Sequence, residues 1–372
     1  MSSAPRSQDA SSEEERRALR EASRRLLVSH TPQSADEHGA ATAAAPDRQA
    51  WTALAEQLGL LGVRVPEELG GVGLGLAEEL LVHEEAGRAL HGGPFLPVLA
   101  QTVPALVRHA PDRLEAVLAG VEVVVPACTA WYRPDAAPLV LDRSGRVSGT
   151  VPSVLEPVGA DRLLVVAERD GAPVLGLVDA ASTTMTRLTG VDLTRRFADV
   201  RLDDVPLDEL ARGDDAHEAV TALESDGALA LCADAVGAAS AAFAMSVDYL
   251  TVREQFGQVI GAFQGLKHQA ADLLVLLESA RSALAFAADA RQGDDEGLAR
   301  AALAVARRRC GSAAFRITNE AIHLHGGIGF TWEHRVHLHH RRAKTDEVLL
   351  DAQGAQARVL ADAVFGLYAA QG

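Results

Sequence analysis

Apolar positions along this chain keep helical spacing at both ends and strand texture in the middle. Leu19, Ala22, Leu26 and Leu27 recur at three- and four-residue steps, the interval that lines up one helix face. Ser11 and Ser12 each stand three residues before a glutamate, Glu14 and Glu15, a capping-box arrangement that predicts where this helix opens. Residues 31–47, rich in Ala, Pro, Asp and Ser, read as a loop. Trp51, Leu54 and Leu58 restart the helical period, and Gly59 and Gly62 end it. After a glycine-rich turn from Pro66 to Gly75, Leu76–Leu90 is helical again. Residues 1–10 are expected to form a disordered tail and 11–118 an α-helical domain.

Near Val121 the period shortens. Val121–Val125 is a β-branched run and Leu139–Leu141 follows, with turns expected at Ser144-Gly145 and Ser148-Gly149. Arg162–Ala167 and Pro173–Val178 flank Asp170-Gly171, a hairpin signal. Phe197–Leu202 is a further strand. This stretch, 119–212, predicts a β-domain. From Glu218 the helical period returns. Leu229, Cys232, Val236, Ala239, Phe243, Val247 and Leu250 make one apolar face, and Leu273, Leu277, Ala280 and Leu284 another. Residues 293–297 break the second helix, and a third runs from about Ala301 to Leu324. The fold class is therefore α+β, mainly α: an N-terminal helical domain, a middle β-domain, and a C-terminal four-helix-bundle domain over 216–370.

Composition narrows the partners. The 372 residues carry a net charge of −16, which disfavours nucleic acid or an anionic membrane, since both require a basic face. Lys267 and Lys344 are the only lysines, so arginine counts carry no phosphate signal of their own. Cys128, Cys232 and Cys310 lie far apart and form neither a disulfide framework nor a metal spacing, as expected of a cytoplasmic protein. The longest stretch without formal charge, Ala89–Val107, holds three prolines and predicts no membrane span.

Several segments could carry chemistry. Gly70-Gly71-Val72-Gly73-Leu74-Gly75 departs from the dinucleotide fingerprint and lacks a βαβ setting, so it reads as a turn. His323-Leu-His-Gly-Gly-Ile-Gly-Phe330 ends a helix at glycines whose backbone could approach a ligand closely. His323, His325, His334, His337, His339 and His340 crowd together, but nothing makes them converge, and no metal site is assigned. Arg253, just past a long helix, could meet a phosphate.

Taken together, Arg253-Glu-Gln-Phe-Gly-Gln-Val-Ile-Gly-Ala-Phe-Gln264 and Ala321-Ile-His-Leu-His-Gly-Gly-Ile-Gly-Phe-Thr-Trp332 resemble the C-terminal domain of the acyl-CoA dehydrogenase family. Leu58–Gly71 and Glu84–Arg88 are similar to its N-terminal domain, and Asp203-Asp-Val-Pro206 to the end of its β-domain. The resemblance implies FAD held between subunits. Arg253 would meet the pyrophosphate of a neighbouring subunit's FAD, with Gln255, Phe256 and Gln264 lining the same region. Gly326 and Gly327 would bring backbone to that cofactor, and Thr129 would offer a flavin-contacting hydroxyl. It also implies α,β-dehydrogenation of an acyl thioester, on coenzyme A or an acyl carrier protein, with an electron-transfer flavoprotein as acceptor. A carboxylate base takes the α-proton while hydride leaves the β-carbon.

Against the family pattern, both positions of the catalytic glutamate have changed, one to Leu350 and the other to Gly227. Asp351 is the nearest replacement, ahead of Glu347; Asp226, one residue from Gly227, is turned by about 100° on a helix. Thr129-Ala-Trp-Tyr-Arg-Pro134 replaces the usual flavin loop, Val151-Pro-Ser-Val154 stands where a tryptophan is expected, and Ala228 replaces an arginine. Two readings follow. The first is a self-sufficient dehydrogenase, a homodimer or homotetramer, with Asp351 as base. The second is a subunit that helps hold FAD, lacks the base, and works in a heterotetramer with a homologous subunit.

Overall fold

Glutamates at the first three positions open α1 (Glu13–Ser29), where negative charge meets the positive end of the helix dipole. The computed structural model of the chain describes residues 13–369 except 45, 131, 134, 352 and 353. The expected tail and the capping serines Ser11 and Ser12 lie outside the described residues. α1 buries Leu26 and Leu27 as their spacing predicts. The expected loop at 31–47 instead contains α2 (Ala35–Ala43). Ser34 caps it by accepting from Glu37 N, and the Glu37 carboxylate accepts from Gln33 N in return. That reciprocal cap outweighs the weak period of an alanine-rich segment. Asp47 caps α3 (Arg48–Leu58), which stops at left-handed Gly59. α4 (Leu76–Ala89) follows. Next comes a nearly continuous rod: α5 (Phe95–Pro97), a π-turn at Val98–Thr102, and α6 (Val103–His109). α7 (Leu114–Leu118) completes this part.

The sheet comprises β1 (Val124–Ala127), β2 (Leu139–Leu141), β3 (Arg146–Leu155), β4 (Arg162–Arg169), β5 (Ala172–Asp179), β6 (Thr184–Leu188), β7 (Phe197–Pro206) and β8 (Asp208–Arg212). Its order is β6-β7-β3-β2-β4-β5-β8, with β1 joined to β4. β1 and β2 run parallel to β4, and the remaining pairs are antiparallel. Asp170 and Gly171, both at positive φ, turn the predicted hairpin. Ser148-Gly149 is not a turn: it lies within β3, where the register against β7 shifts between Val147 and Gly149. Two short edge strands, β6 and β8, carry too few apolar residues to show in the sequence.

The rest is helical: α8 (Asp214–Val252), a hairpin of β9 (Glu254–Gln255) and β10 (Gln258–Val259), α9 (Gln264–Arg291), α10 (Glu296–His325), α11 (Val336–Leu350) and α12 (Ala355–Ala369). α10 begins before Ala301 because Asp295 caps it, accepting from Leu298 N. α8 to α11 pack as a bundle, α4 lies along α8, and α12 along α10. By length and composition α8 could cross a bilayer, yet 83% of its apolar stretch is buried inside the protein, which is what a central core helix requires. The N-terminal helices and the sheet share one continuous core, while the bundle has its own.

Glycine sets the spacing of α4 and α8. A Cβ on Gly87 would run into the Asp234 carbonyl, and one on Gly237 into the Glu84 carbonyl. Close approach there brings buried charges together. Arg342, on α11, donates to both oxygens of Asp234 on α8 (3.1 and 3.2 Å), to Thr194 Oγ1 (2.8 Å) and to the His91 carbonyl (3.0 Å). Arg195, between β6 and β7, donates to Asp234 (2.8 Å) and to Asp346 on α11. Asp192 completes the group, 3.3 Å from Arg342. Three aspartates thus face two arginines out of contact with water. Arginine charge holds Asp234 below the usual carboxylate range despite its burial. Burial, with Asp234 adding to it, pushes Asp346 up to about 7.

Two expectations follow. Gly237→Ala should lower the unfolding free energy by about 2 kcal/mol or more, because backbone on the facing helix cannot yield; urea melts of the two chains measure it. Asp346 binds its proton more tightly folded than unfolded. Its contribution is therefore complete below its ordinary value of 3.8 and is lost as pH rises through about 7. Asp346→Asn should then lose less stability than wild type between about pH 5 and about pH 8, and equal pH slopes would show that this acid does not titrate there.

Candidate functional site

At the C-terminal end of α8 the chain turns outward. Arg253 caps the helix through its backbone N–H to the Tyr249 carbonyl (2.9 Å). Its side chain is exposed, with no hydrogen bond or ion pair among the described residues. The β9–β10 hairpin then presents Phe256 at its corner, 91% exposed and at φ +53°. A bulky side chain rarely adopts that conformation. Both the exposure and the backbone cost point to a surface built to be covered. Gln255 lies in β9, and Gln264 is the exposed first residue of α9.

The glycine turn lies at the same end of the bundle. Gly326 closes α10 at φ +62°, ψ −142°, a region open essentially to glycine alone. No atom lies within 4 Å of where a Cβ would stand on Gly326 or Gly327, so this backbone faces open space. His325 stacks on Tyr249 with ring centres 4.9 Å apart, tying the turn to the helix that carries Arg253. The six expected cofactor residues of the bundle, Arg253, Gln255, Phe256, Gln264, Gly326 and Gly327, therefore share one end of it.

Thr129 lies elsewhere. It follows β1 and is buried, and its carbonyl accepts from Tyr132 N and Arg133 N in a tight turn. That turn is fastened to β3, since Tyr132 Oη and Arg133 Nη1 both bond to Ser153, each at 3.0 Å. Trp131 and Pro134 of the same segment lie outside the described residues. Burial pushes the neighbouring Cys128 thiol up to about 12, with added repulsion from Glu224 on α8. Glu224 stands 25 residues before Tyr249, or about 38 Å along an α-helix at 1.5 Å per residue. One flavin dinucleotide cannot span that distance. Arg253 and the Thr129 turn therefore lie at opposite ends of α8, the separation expected if each were to meet a different cofactor.

Neither position of the family's base is acidic, and both are filled. Leu350, the last residue of α11, is wholly buried, and its carbonyl accepts from Arg307 Nε at 2.7 Å. Gly227 lies against Gln101 of the π-turn, whose amide donates to the Leu223 carbonyl at 2.9 Å. A Cβ at 227 would come within 2.6 Å of that amide nitrogen. The hollow beside it, bounded by Pro104, Ala222, Leu223 and Asp226, holds about 40 Å³, close to one water's share of liquid.

Asp351 caps α11 and accepts from Gln356 N (3.0 Å), with Arg308 3.9 Å away. It sits at a hollow of about 420 Å³ with Arg309, Ser312 and Glu347, and Glu347 itself pairs with Lys344. Asp226 is held by Arg64 (2.7 Å) and Arg291 (3.0 Å). The sequence reading passed over Glu224, one turn before Gly227. Burial pushes its carboxyl up, opposed by Arg307. Its only sequence signal is that three-residue offset.

The histidines disperse. His325 and His334 lie side by side, His337 stacks on Trp332, and His340 meets Thr318. Among the described residues no three His, Cys, Asp or Glu side chains gather as metal ligands.

Comparison with known proteins accounts for this pattern. Residues 13–116 match the N-terminal domain of acyl-CoA dehydrogenases, and residues 219–365 match their C-terminal domain. Acyl-CoA dehydrogenase IpdE2 of Mycobacterium tuberculosis is 32% identical over 91% of this chain and 94% of its own length. Its namesake from Mycolicibacterium smegmatis is 30% identical over 95% and 99%. Among solved structures, the ChsE4-ChsE5 complex of Mycobacterium tuberculosis matches at TM-score 0.84 and 25% identity, over 96% of this chain and 99% of that one. A Tcur3481-Tcur3483 steroid ACAD variant matches at 0.83 and 29%, with the same coverage. With both ends of the chain matched and curated relatives aligned over nearly its full length, this protein belongs to the acyl-CoA dehydrogenase family.

Proposed function

We propose that this chain is the base-lacking partner subunit of a hetero-oligomeric, FAD-dependent acyl-CoA dehydrogenase. The observation that carries this reading is the filling of both base positions, one by buried Leu350 and the other by Gln101 against Gly227. Two relatives named with two chains support it, the ChsE4-ChsE5 complex and the Tcur3481-Tcur3483 steroid ACAD variant.

The residues present suit FAD. The exposed Arg253 guanidinium, with no hydrogen bond or ion pair among the described residues, matches a pyrophosphate. Open backbone at Gly326 and Gly327 allows close approach, and the exposed Phe256 ring supplies a flat apolar surface. FAD supplies the hydride acceptor of the reaction. This chain's part is to orient and shield it while the homologous subunit holds the acyl thioester and takes the proton. The acyl carrier is coenzyme A, with an acyl carrier protein the alternative, and an electron-transfer flavoprotein is the downstream acceptor.

A second reading has one observation in its favour. Glu224 is a half-buried carboxyl, raised by burial, one turn from Gly227. A chain active alone would draw its base from Glu224 or from Asp351.

Purification decides between them. The chain alone should be nearly colourless; co-expressed with a base-bearing homologous dehydrogenase it should carry FAD that bleaches on adding an acyl-CoA. A chain that is yellow and bleaches by itself would overturn the partner reading, and loss of that bleaching in Glu224→Gln or Asp351→Asn would then name the base. Within the complex, Arg253→Ala should cut bound flavin several-fold. The circular dichroism spectrum should not change, because the side chain is exposed and makes no hydrogen bond or ion pair among the described residues. Unaltered flavin content would remove Arg253 from the cofactor site.

A further inference from the structure

A cleft of about 420 Å³ opens where the N-terminal helices meet α8 and α9, away from the hairpin and the glycine turn. That size falls within the range of small-molecule sites. Its walls are Pro66, Leu74, Leu76 and Pro104, all apolar, and its polar floor is Arg64, Asp226 and Arg291.

The two arginines are only partly used. Arg64 donates through Nη2 to one oxygen of Asp226, and Arg291 through Nε to the other. Neither Nη of Arg291 has a protein partner among the described residues, nor does Nη1 of Arg64. Asp226 is 5% exposed at its side chain, whereas Arg64 is 22% and Arg291 36% exposed. The carboxylate thus lies behind, and the free guanidinium edges face the cleft. Asp226 works as a bracket, spreading the two forks at a separation set by one carboxylate.

Charge defines the occupant. Two guanidinium groups and Asp226 leave one positive charge. Glu79 sits behind Arg64 at 3.4 Å, wholly buried, with neither oxygen hydrogen-bonded. Burial raises its carboxyl to about 7, so it cancels that charge only in part at neutral pH. A single planar anion fits this balance better than a phosphate dianion, and guanidinium forks match carboxylates in two-point geometry. The apolar walls add a requirement for a hydrocarbon stem.

We propose that this cleft binds an organic carboxylate borne on an apolar stem, its head across the free edges of Arg64 and Arg291 and its stem along Leu74, Leu76 and Pro104. The cleft lies away from the Arg253 hairpin and the Gly326 turn, and its binding of a carboxylate does not require the chain to act as a partner subunit.

Octanoate and its neutral counterpart octanamide are suitable probes, titrated calorimetrically into the flavin-free full-length chain. Octanoate should bind one to one, and octanamide at least tenfold more weakly. Arg291→Gln removes a half-exposed fork while leaving Arg64 on Asp226; it should weaken octanoate at least tenfold, with Arg291→Lys intermediate and the melting temperature little changed. Equal affinity for octanoate and octanamide would reduce the cleft to an apolar slot and overturn the proposal. So would octanoate binding indifferent to Arg291→Gln, or no binding at millimolar octanoate. No flavin or partner enters the measurement, so its failure would leave the partner reading untouched.

Discussion

Arg195 and Arg342, enclosed with Asp192, Asp234 and Asp346, hold together the parts of the chain that the rest of the molecule depends on. One arginine comes from the β6–β7 connection and the other from α11, and the central carboxylate belongs to α8. Removing water from such a group is costly, and the return comes only when every partner is in place. The cluster therefore admits one relative placement of sheet and bundle. Breaking a single partner leaves a charge stranded, which typically costs about 3–5 kcal/mol. Burial raises the proton affinity of the surplus aspartate, Asp346, and no third cation is added among the described residues.

That placement also fixes the cofactor geometry. With the sheet locked to one side of α8, the Thr129 turn is held near Glu224, while the Arg253 hairpin and the Gly326 turn lie at the far end. The glycines of the α4–α8 contact belong to the same constraint, because they bring Asp234 within reach of its partners. Leu350 and Gly227 pack well where a buried carboxylate would have needed compensation.

The helical architecture was legible because long apolar stripes such as Leu229–Leu250 have no other good solution, and the hairpin at Asp170-Gly171 was legible because two positive φ angles need such residues. α2 was hidden because alanine gives no period, and its cap at Ser34 was one short signal in a polar stretch. β6 and β8 were hidden because edge strands need not be apolar. At the site, Arg253 and the glycines stood out as residue types whose chemistry is local. Glu224, Gln101 and the Arg64–Asp226–Arg291 floor did not, since each matters only through a neighbour more than sixty residues away in sequence.

α8 acts as a ruler between two half-sites. An inserted residue would rotate one end against the other by about 100°, and an inserted turn would displace it by about 5.4 Å. If FAD is shared between subunits as proposed, either change would spoil two cofactor sites at once, because each end of the helix would serve a different one. The length of this helix is thus more tightly constrained than most of its side chains, and divergence in this lineage is expected to appear as substitutions along α8 and not as insertions or deletions within it.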